Sequence, residues 1–287
     1  MQKDEKLAYL AGWYAADGFL QTDPNAGRHL CFYLAARDAF ILELFSSWFG
    51  GRVRYYDYSR NGRSYPVVKW VSWRSDLYEF LLTGDFKQHI WPENSDLQCI
   101  FLRGFLEGDG HVGFRNKNGH FRLTFTNASV SLLEDIMSHL SQYLNIPTKT
   151  LKLRRDNTHQ ISYEAREARL IAWYLYREAE YFLPRKGQVV QQLFGDILDP
   201  VAAYFQILSN QPPEFIARNN GLFFRLSQAK NTLQAVKSVC AGFKLLGIDA
   251  IPVPDGKGKN KQHGIYIPQK HLHQLAYTQD MLIKKVA

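Results

Sequence analysis

Cysteine is scarce in this chain of 287 residues, and Cys31, Cys99 and Cys240 form an odd, scattered set with no CxxC spacing. That pattern excludes a disulfide framework and a thiolate zinc site, and it suits a reducing compartment. The nine histidines show no HExxH or comparable pairing, so a metal centre built on imidazoles is not expected, and His111 is read as incidental. Also missing is any apolar run near the roughly 20 residues of a membrane span. The stretch Leu7 to Ala16 follows a leader of cancelling charges, MQKDEK, and runs into Asp17 instead of a cleavage site. It reads as a structural helix and not as a secretory signal. No membrane partner is expected, and the expected location is the cytoplasm or an organelle interior.

What the chain does carry is positive charge, +8 overall with a pI near 9.3, and 14% aromatic residues, many beside arginine or lysine. An excess of this size favours a polyanionic partner through attraction and association rate, and says nothing of fold. The more specific signal is a repeat. Leu10 to Gly18 reads LAGWYAADG and Leu102 to Gly110 reads LRGFLEGDG, so two apolar, helix-forming runs each close on an Asp-Gly pair. One such run would be read as a solvated turn. Two of them, with Asp17 and Asp109 92 positions apart, imply a duplicated unit with one carboxylate at the same place in each copy.

The elements after each run follow the same order. In the first copy His29–Ala35 reads as a strand and Asp38–Phe49 as a helix stopped by Gly50 and Gly51. A hairpin follows, Arg52–Tyr58 and Ser64–Trp73 about the turn RNGR, with a short helix over Asp76–Leu82. The second copy offers a strand over His120–Asn127 and a helix over Val130–Leu144, stopped at Asn145 and Pro147. Its hairpin is Thr148–Arg155 and His159–Glu164 about Asp156 and Asn157, and Ala168–Tyr176 closes the unit. The expected fold class is α+β: two pseudo-symmetric αββαββα units, residues 1–93 and 94–193, with saddle-like antiparallel sheets. Residues 194–287 form a C-terminal α+β extension. Its strands at Gly221–Leu226, Ile248–Val253 and Gly264–Ile267, its helix at Thr232–Leu246, its basic turn GKGKNK and a last helix suggest a degenerate third repeat. Where an acidic motif should stand it reads VAAYFQILSN, without an Asp-Gly pair; an unrelated appendage is the alternative.

Gly12 and Gly104 fall mid-helix, where glycine costs up to about 1 kcal/mol relative to alanine. Close approach of two backbones is the simplest offset. Pairing the motif helices would bring Asp17 and Asp109 together where helix C-termini already carry partial negative charge. A cation is drawn to such a place, and oxygen ligands with room for water suit Mg²⁺.

The paired runs resemble the LAGLIDADG homing endonucleases of the single-chain, two-motif type, over roughly residues 1 to 193. LAGWYAADG keeps the leading Leu-Ala-Gly and the closing Asp-Gly, and LRGFLEGDG is similar to common second motifs. The resemblance implies a monomeric, site-specific endodeoxyribonuclease. It would use Mg²⁺, with Mn²⁺ as a substitute, to break both strands of a long asymmetric target in intron homing. It further implies catalysis by Asp17 and Asp109, each chiefly on one strand, with Ala16 and Gly108 beside them in the metal site. A basic residue after each closing helix maps to Lys87 and to Lys186 or Arg185, with Gln188 as a water-organising candidate. The sixth motif position, usually acidic, is Ala15 in one copy and Glu107 in the other, which puts the first helix end in question more than catalysis.

The hairpins supply the expected reading surface for double-stranded DNA. Arg52, Arg54, Tyr56 and Tyr58 alternate onto one face of the first, and Lys152 and Arg154 share a face of the second. Lys69, Arg115 and Arg122 complete the DNA-binding set, with arginine suited to base edges and lysine to phosphates. The alternatives are a maturase that binds intron RNA on the same scaffold, and a catalytically silent DNA-binding regulator.

Overall fold

In a computed structural model of the chain, residues 2–23, 27–60, 62–91, 94–115, 120–194, 215–218, 221–224, 233–255, 262–268 and 270–271 are described. The first unit runs α1 (Lys3–Ala16), β1 (Phe19–Asp23), β2 (Gly27–Ala35), α2 (Ala39–Phe49), β3 (Arg52–Arg60), β4 (Arg63–Ser72) and α3 (Ser75–Thr83). The second runs α4 (Ser95–Asp109), β5 (His111–Phe114), β6 (Phe121–Asn127), α5 (Val130–Leu144), β7 (Lys152–Leu153), β8 (His159–Glu164) and α6 (Ala165–Tyr176). Both sheets are antiparallel and share one strand order, β1-β2-β4-β3 in the first and β5-β6-β8-β7 in the second.

Local chemistry sets these boundaries. Gln2 and Glu5 form a capping box on α1, and the Asn94 side chain accepts from Asp96 N at 2.8 Å to start α4. Ser129 does the same for α5 through Leu132 N at 3.2 Å. That helix ends at Asn145, in the left-handed region at φ +51°. Each sheet turns one face to the helices. Leu30, Phe32 and Leu34 of β2 pair in register with Ser72, Trp70 and Val68 of β4, and all six are buried. Phe121, Leu123 and Phe125 of β6 do the corresponding work with Ile161 and Tyr163 of β8.

The two units meet through α1 and α4, which are buried along most of their lengths: Ala8–Ala15 in one and Phe101–Glu107 in the other. The backbones touch at the glycines, as the cost argument required. A Cβ at Gly12 would stand 2.0 Å from the Phe101 carbonyl oxygen, and one at Gly104 would stand 2.5 Å from that of Tyr9.

Four sequence expectations need correction. The strand expected over Thr148–Arg155 is only Lys152–Leu153, paired with Gln160 and His159; beyond it Arg154 turns, its N–H donating to Thr158 O and its carbonyl accepting from Asn157 N. α6 starts at Ala165, three residues earlier than expected, straight from β8 through a positive φ of +50°. The stretch around Lys186, expected as loop, is helix α7 (Pro184–Phe194); proline opens it, a position where its missing N–H costs nothing, and Val190 and Phe194 anchor it. In the C-terminal segment the strand expected from Ile248 begins at Ile251, after the turn at Gly247 with φ +74°.

That segment holds β9 (Phe215–Arg218), which the sequence reading missed, then β10 (Gly221–Phe224), α8 (Leu233–Leu245), β11 (Ile251–Asp255) and β12 (Gln262–Pro268). Its antiparallel order is β9-β10-β12-β11, with α8 between the second and third strands in sequence. It leans on the second unit: Ser238 Oγ donates to Asn145 O at 2.7 Å and Gln234 Nε2 to the same oxygen at 2.5 Å. VAAYFQILSN, GKGKNK and the expected last helix lie outside the described residues. Among the described residues all three cysteines are free and buried, and no helix is long and apolar enough to cross a membrane.

Candidate functional site

Asp17 caps the C-terminus of α1 and Asp109 is the last residue of α4, so the crossing of the two helices brings both carboxylates to one end of the seam. Their proximity is visible at Gly108, where a Cβ would lie 2.4 Å from Ala16 Cβ and 3.3 Å from Asp17 Oδ2. A side chain at position 108 would therefore displace the acid of the other unit. Asp109 is pushed up to about 6, by burial first and by the negative charge of Asp17 second, against the pull of Lys87 and Lys186. Asp17 keeps an exposed edge yet is also raised, burial outweighing Lys186 and Lys87. Two carboxylates that each resist ionisation beside the other form a centre short of positive charge.

The two lysines are tied to the helix ends beside these acids. Lys87 Nζ donates to Gly18 O at 2.7 Å, just past α1, with its pKa lowered by burial against the attraction of Asp109 and Asp17. Lys186 is buried, and its Nζ donates to the carbonyls of Leu106, Glu107 and Gly110, each at 2.7 Å. Three acceptors match the three ammonium hydrogens, so Lys186 offers charge to the centre and caps the C-terminus of α4. Burial, with Arg185 next to it, lowers it to about 8. These contacts do not involve the carbonyls of Ala16 and Gly108, which sit beside the two acids. Arg185, the alternative to Lys186, makes a two-pronged pair with buried Asp38 of the first unit at 2.9 and 3.0 Å, strapping α7 across the unit boundary. Gln188 is exposed on α7.

One participant escaped sequence reading, and another does more than the sequence suggested. Asn127, the last residue of β6, directs Nδ2 to Asp109 Oδ2 at 3.5 Å and to Ala15 O at 3.4 Å, while its Oδ1 accepts from Ser129 N. An asparagine just before the Ser129 cap reads as turn chemistry, and nothing local in sequence points it at a residue 18 positions back. Glu107 is fully buried, accepting from the Tyr9 hydroxyl of the first unit and from Leu183 N at 2.9 Å, and burial raises its carboxyl. It joins both units and the approach to α7, a wider role than the helix-end one expected.

The expected DNA-reading residues fall on the faces turned away from the helices. Arg52, Arg54, Tyr56 and Tyr58 of β3 pair in register with Val71, Lys69, Val67 and Tyr65 of β4, on the side opposite Trp70. Arg122 and Lys152 occupy the corresponding face of the second sheet. There Arg122 donates to Ser162 Oγ at 3.0 Å, Arg115 lies 3.6 Å from Glu164, and Arg154 lies 3.5 Å from Asp156. Exposed pairs of this kind are weak and exchange readily for phosphate.

Residues 96–177, the second unit almost end to end, match the family model described as LAGLIDADG-like domain. The match takes in the second motif, Leu102 to Gly110, and does not extend to the first. No curated protein matches. Among solved structures, the homing endonuclease I-WcaI bound to its DNA recognition sequence aligns at 14% identity, covering 66% of this chain and 86% of that one with a TM-score of 0.48. Mesophilic variants of the homing endonuclease I-DmoI align at 13%, covering 64% and 96% with a TM-score of 0.46. The N-terminal LAGLIDADG domain of DUF199/WhiA aligns at 19%, covering 61% and 82% with a TM-score of 0.43.

The Asp109 shift carries a pH prediction. Its folded pKa of about 6 lies above the unfolded 3.8, so the protonated form favours the fold. That contribution is complete below about 4 and is lost as pH rises through 6, at most about 3 kcal/mol. Thermal unfolding in EDTA should give a melting temperature that falls between pH 4.5 and 7, and the Asp109→Asn variant should flatten that slope. Divalent cation should restore the loss, raising the melting temperature more at pH 7.5 than at pH 5.5. A wild-type slope that persists in the variant would assign it to other groups.

Proposed function

We propose that this protein is a divalent-metal-dependent DNA endonuclease that cuts both strands of double-stranded DNA at one centre. The observation that carries the reading is the meeting of Asp17 and Asp109, one from each unit, with both carboxyls raised, chiefly by burial, at a glycine-packed seam. Among the described residues no group of three or more His, Cys, Asp or Glu side chains could hold a metal alone. Two hard carboxylates with nearby carbonyls fit a hard cation such as Mg²⁺ or Mn²⁺ whose remaining ligands are water and phosphate. Asp17 and Asp109, with Ala16 and Gly108 beside them, would hold it, and when bound it supplies activated water and neutralises charge on the phosphate.

The chain's own residues do the rest. Packing of α1 on α4 fixes the spacing of the two acids without loops, which favours a constant geometry. Lys87 and Lys186, held at the two helix ends, keep positive charge where charge builds on the phosphate oxygens. The outward faces of the two sheets present Arg52, Arg54, Tyr56, Tyr58 and Lys69 on one side and Arg115, Arg122, Lys152 and Arg154 on the other. Together they form the proposed reading surface for an asymmetric target, with the protein acting as a monomer whose two units stand in for two subunits. We extend the repeat to the C-terminal segment, whose strand order follows the first two sheets, as an acid-free third unit with a binding or stabilising role. Intron homing is the biological setting this reading favours.

Incubation with Mg²⁺ and a plasmid library of candidate insertion sites tests it. Discrete linear products are expected, and tight binding without cleavage in Mg²⁺ or Mn²⁺ would overturn it in favour of a silent regulator.

A further inference from the structure

Each lysine beside the acids is bonded within its own unit, while the residue next to it is bonded to the other unit. Lys87 Nζ donates to Gly18 O and Lys186 Nζ to Gly110 O, both at 2.7 Å, so each holds the closing glycine of its own unit's motif. Gln88 then crosses to the start of α5, where its Oε1 accepts from Ser129 Oγ at 3.0 Å and from Ser131 Oγ at 2.8 Å. His89 Nδ1 lies 3.0 Å from Asp135 Oδ2 on the same helix. Arg185 crosses the other way, to the start of α2, donating from Nε and Nη2 to Asp38 Oδ1 and Oδ2 at 2.9 and 3.0 Å. α2 and α5 are corresponding helices of the two units, and Asp38 and Ser129 are their N-cap residues.

Helix capping does not account for Asp38. An aspartate at an N-cap ordinarily accepts from the first turn of its own helix, yet Asp38 makes no such bond. Its buried carboxylate turns instead to a residue 147 positions away. A two-pronged, charge-assisted pair is the strong kind, and a buried carboxylate is costly without one. The chain leading to Lys186 adds two more contacts to the first unit. Tyr181 meets Trp48 of α2 edge-on at 5.3 Å, and Leu183 N donates to Glu107, which also accepts from the Tyr9 hydroxyl. The contact at Gln88 is the weaker of the two crossings, since it joins neutral groups at the surface. Through both crossings, a lysine keeps its place only where the other unit is docked.

We infer that Gln88, and Arg185 with Asp38, are positioning residues forming two reciprocal latches, through which each unit holds the other's lysine at the cutting centre. With two donors engaged by Asp38, Arg185 is a tether, and Lys186 is the residue that serves the centre. The effect on cleavage rests on the nuclease reading, whereas the latches can be tested without it.

The test uses the full chain. In EDTA, acetic anhydride labelling read by mass spectrometry should modify Lys186 at least about fivefold faster in Asp38→Asn and in Arg185→Gln, with Lys87 unchanged. Gln88→Ala should expose Lys87 and leave Lys186 as it was. Asparagine caps a helix as well as aspartate does, and labelling of one lysine alone separates a released latch from a loosened fold. On supercoiled plasmid carrying the target, with Mg²⁺, Asp38→Asn and Arg185→Gln should each slow the cut of one strand about a hundredfold, the cost of a group misplaced by about an ångström. Nicked circles should accumulate. Gln88→Ala should slow the other strand about tenfold, and target binding should hold in every variant. Asp38→Asn combined with Arg185→Gln should lose no more than either change alone, because the two act as one pair. Equal labelling of both lysines, an additive double variant, or the same strand slowed through both latches would each overturn the inference. Selective labelling in a protein whose wild type makes no cut would uphold the latches and sink the nuclease reading alone.

Discussion

Asp109→Asn is expected to abolish double-strand cleavage while target binding stays within a few-fold of the wild type. The amide keeps the shape and the contact with Asn127 but removes the charge that a divalent cation needs at the seam. Loss of one of two ligands at such a centre costs several kcal/mol of transition-state stabilisation, so at least about a thousandfold in rate. Asp17→Asn should do the same from the other unit. Supercoiled plasmid carrying the target, followed with time, gives the readout: neither linear nor nicked product should form at an appreciable rate. A variant that keeps a tenth of wild-type cleavage would show that its carboxylate is dispensable. The same substitution should stabilise the metal-free protein at neutral pH, since a reluctant carboxylate is gone. Loss of activity with gain of stability is the signature of a strained functional site, and a merely structural acid would lose both.

Gly12→Ala should be the most damaging conservative change in the fold. In an isolated helix it would add roughly 1 kcal/mol of stability. Here the new methyl would sit 2.0 Å from the Phe101 carbonyl oxygen and 2.9 Å from Phe105 N, and both are backbone atoms of α4 that no rotamer change can move. The helices must part by about an ångström along a seam buried on both sides. Overpacking of this kind costs about 3 kcal/mol or more, a fall of roughly 6–12 °C in melting temperature for a chain of this size. Gly104→Ala, with a 2.5 Å approach to Tyr9 O, should behave alike. Cleavage should fall further than stability explains, because a shift of one ångström between Asp17 and Asp109 alone costs about a hundredfold. A variant of Gly12 with wild-type melting temperature would contradict the seam as described.

Periodicity and punctuation made most of the fold legible. Gly50 and Gly51 end α2, Asn145 ends α5, and the hairpin residues Arg52 and Arg54 lie on one face because strand side chains alternate whatever the partner. Those are local rules, and the two acids could be paired because the chain repeats its motif. What failed was also local. The strand expected over Thr148–Arg155 pairs with β8 only at Lys152 and Leu153, and the loop expected around Lys186 was a helix whose apolar positions, Val190 and Phe194, are spaced for one buried face.

By itself, then, the sequence determined the repeated unit, the Asp-Gly ends of its motif helices and the cost of two mid-helix glycines. Only the tertiary structure decided how those ends are used. Asn127 reaching Asp109, Arg185 crossing to Asp38, Lys186 matched to three carbonyls and Glu107 bonded to Tyr9 all join residues far apart in the chain. Burial and proximity set the charge state of each acid and lysine, and both arise only when α1 and α4 are pressed together at their glycines.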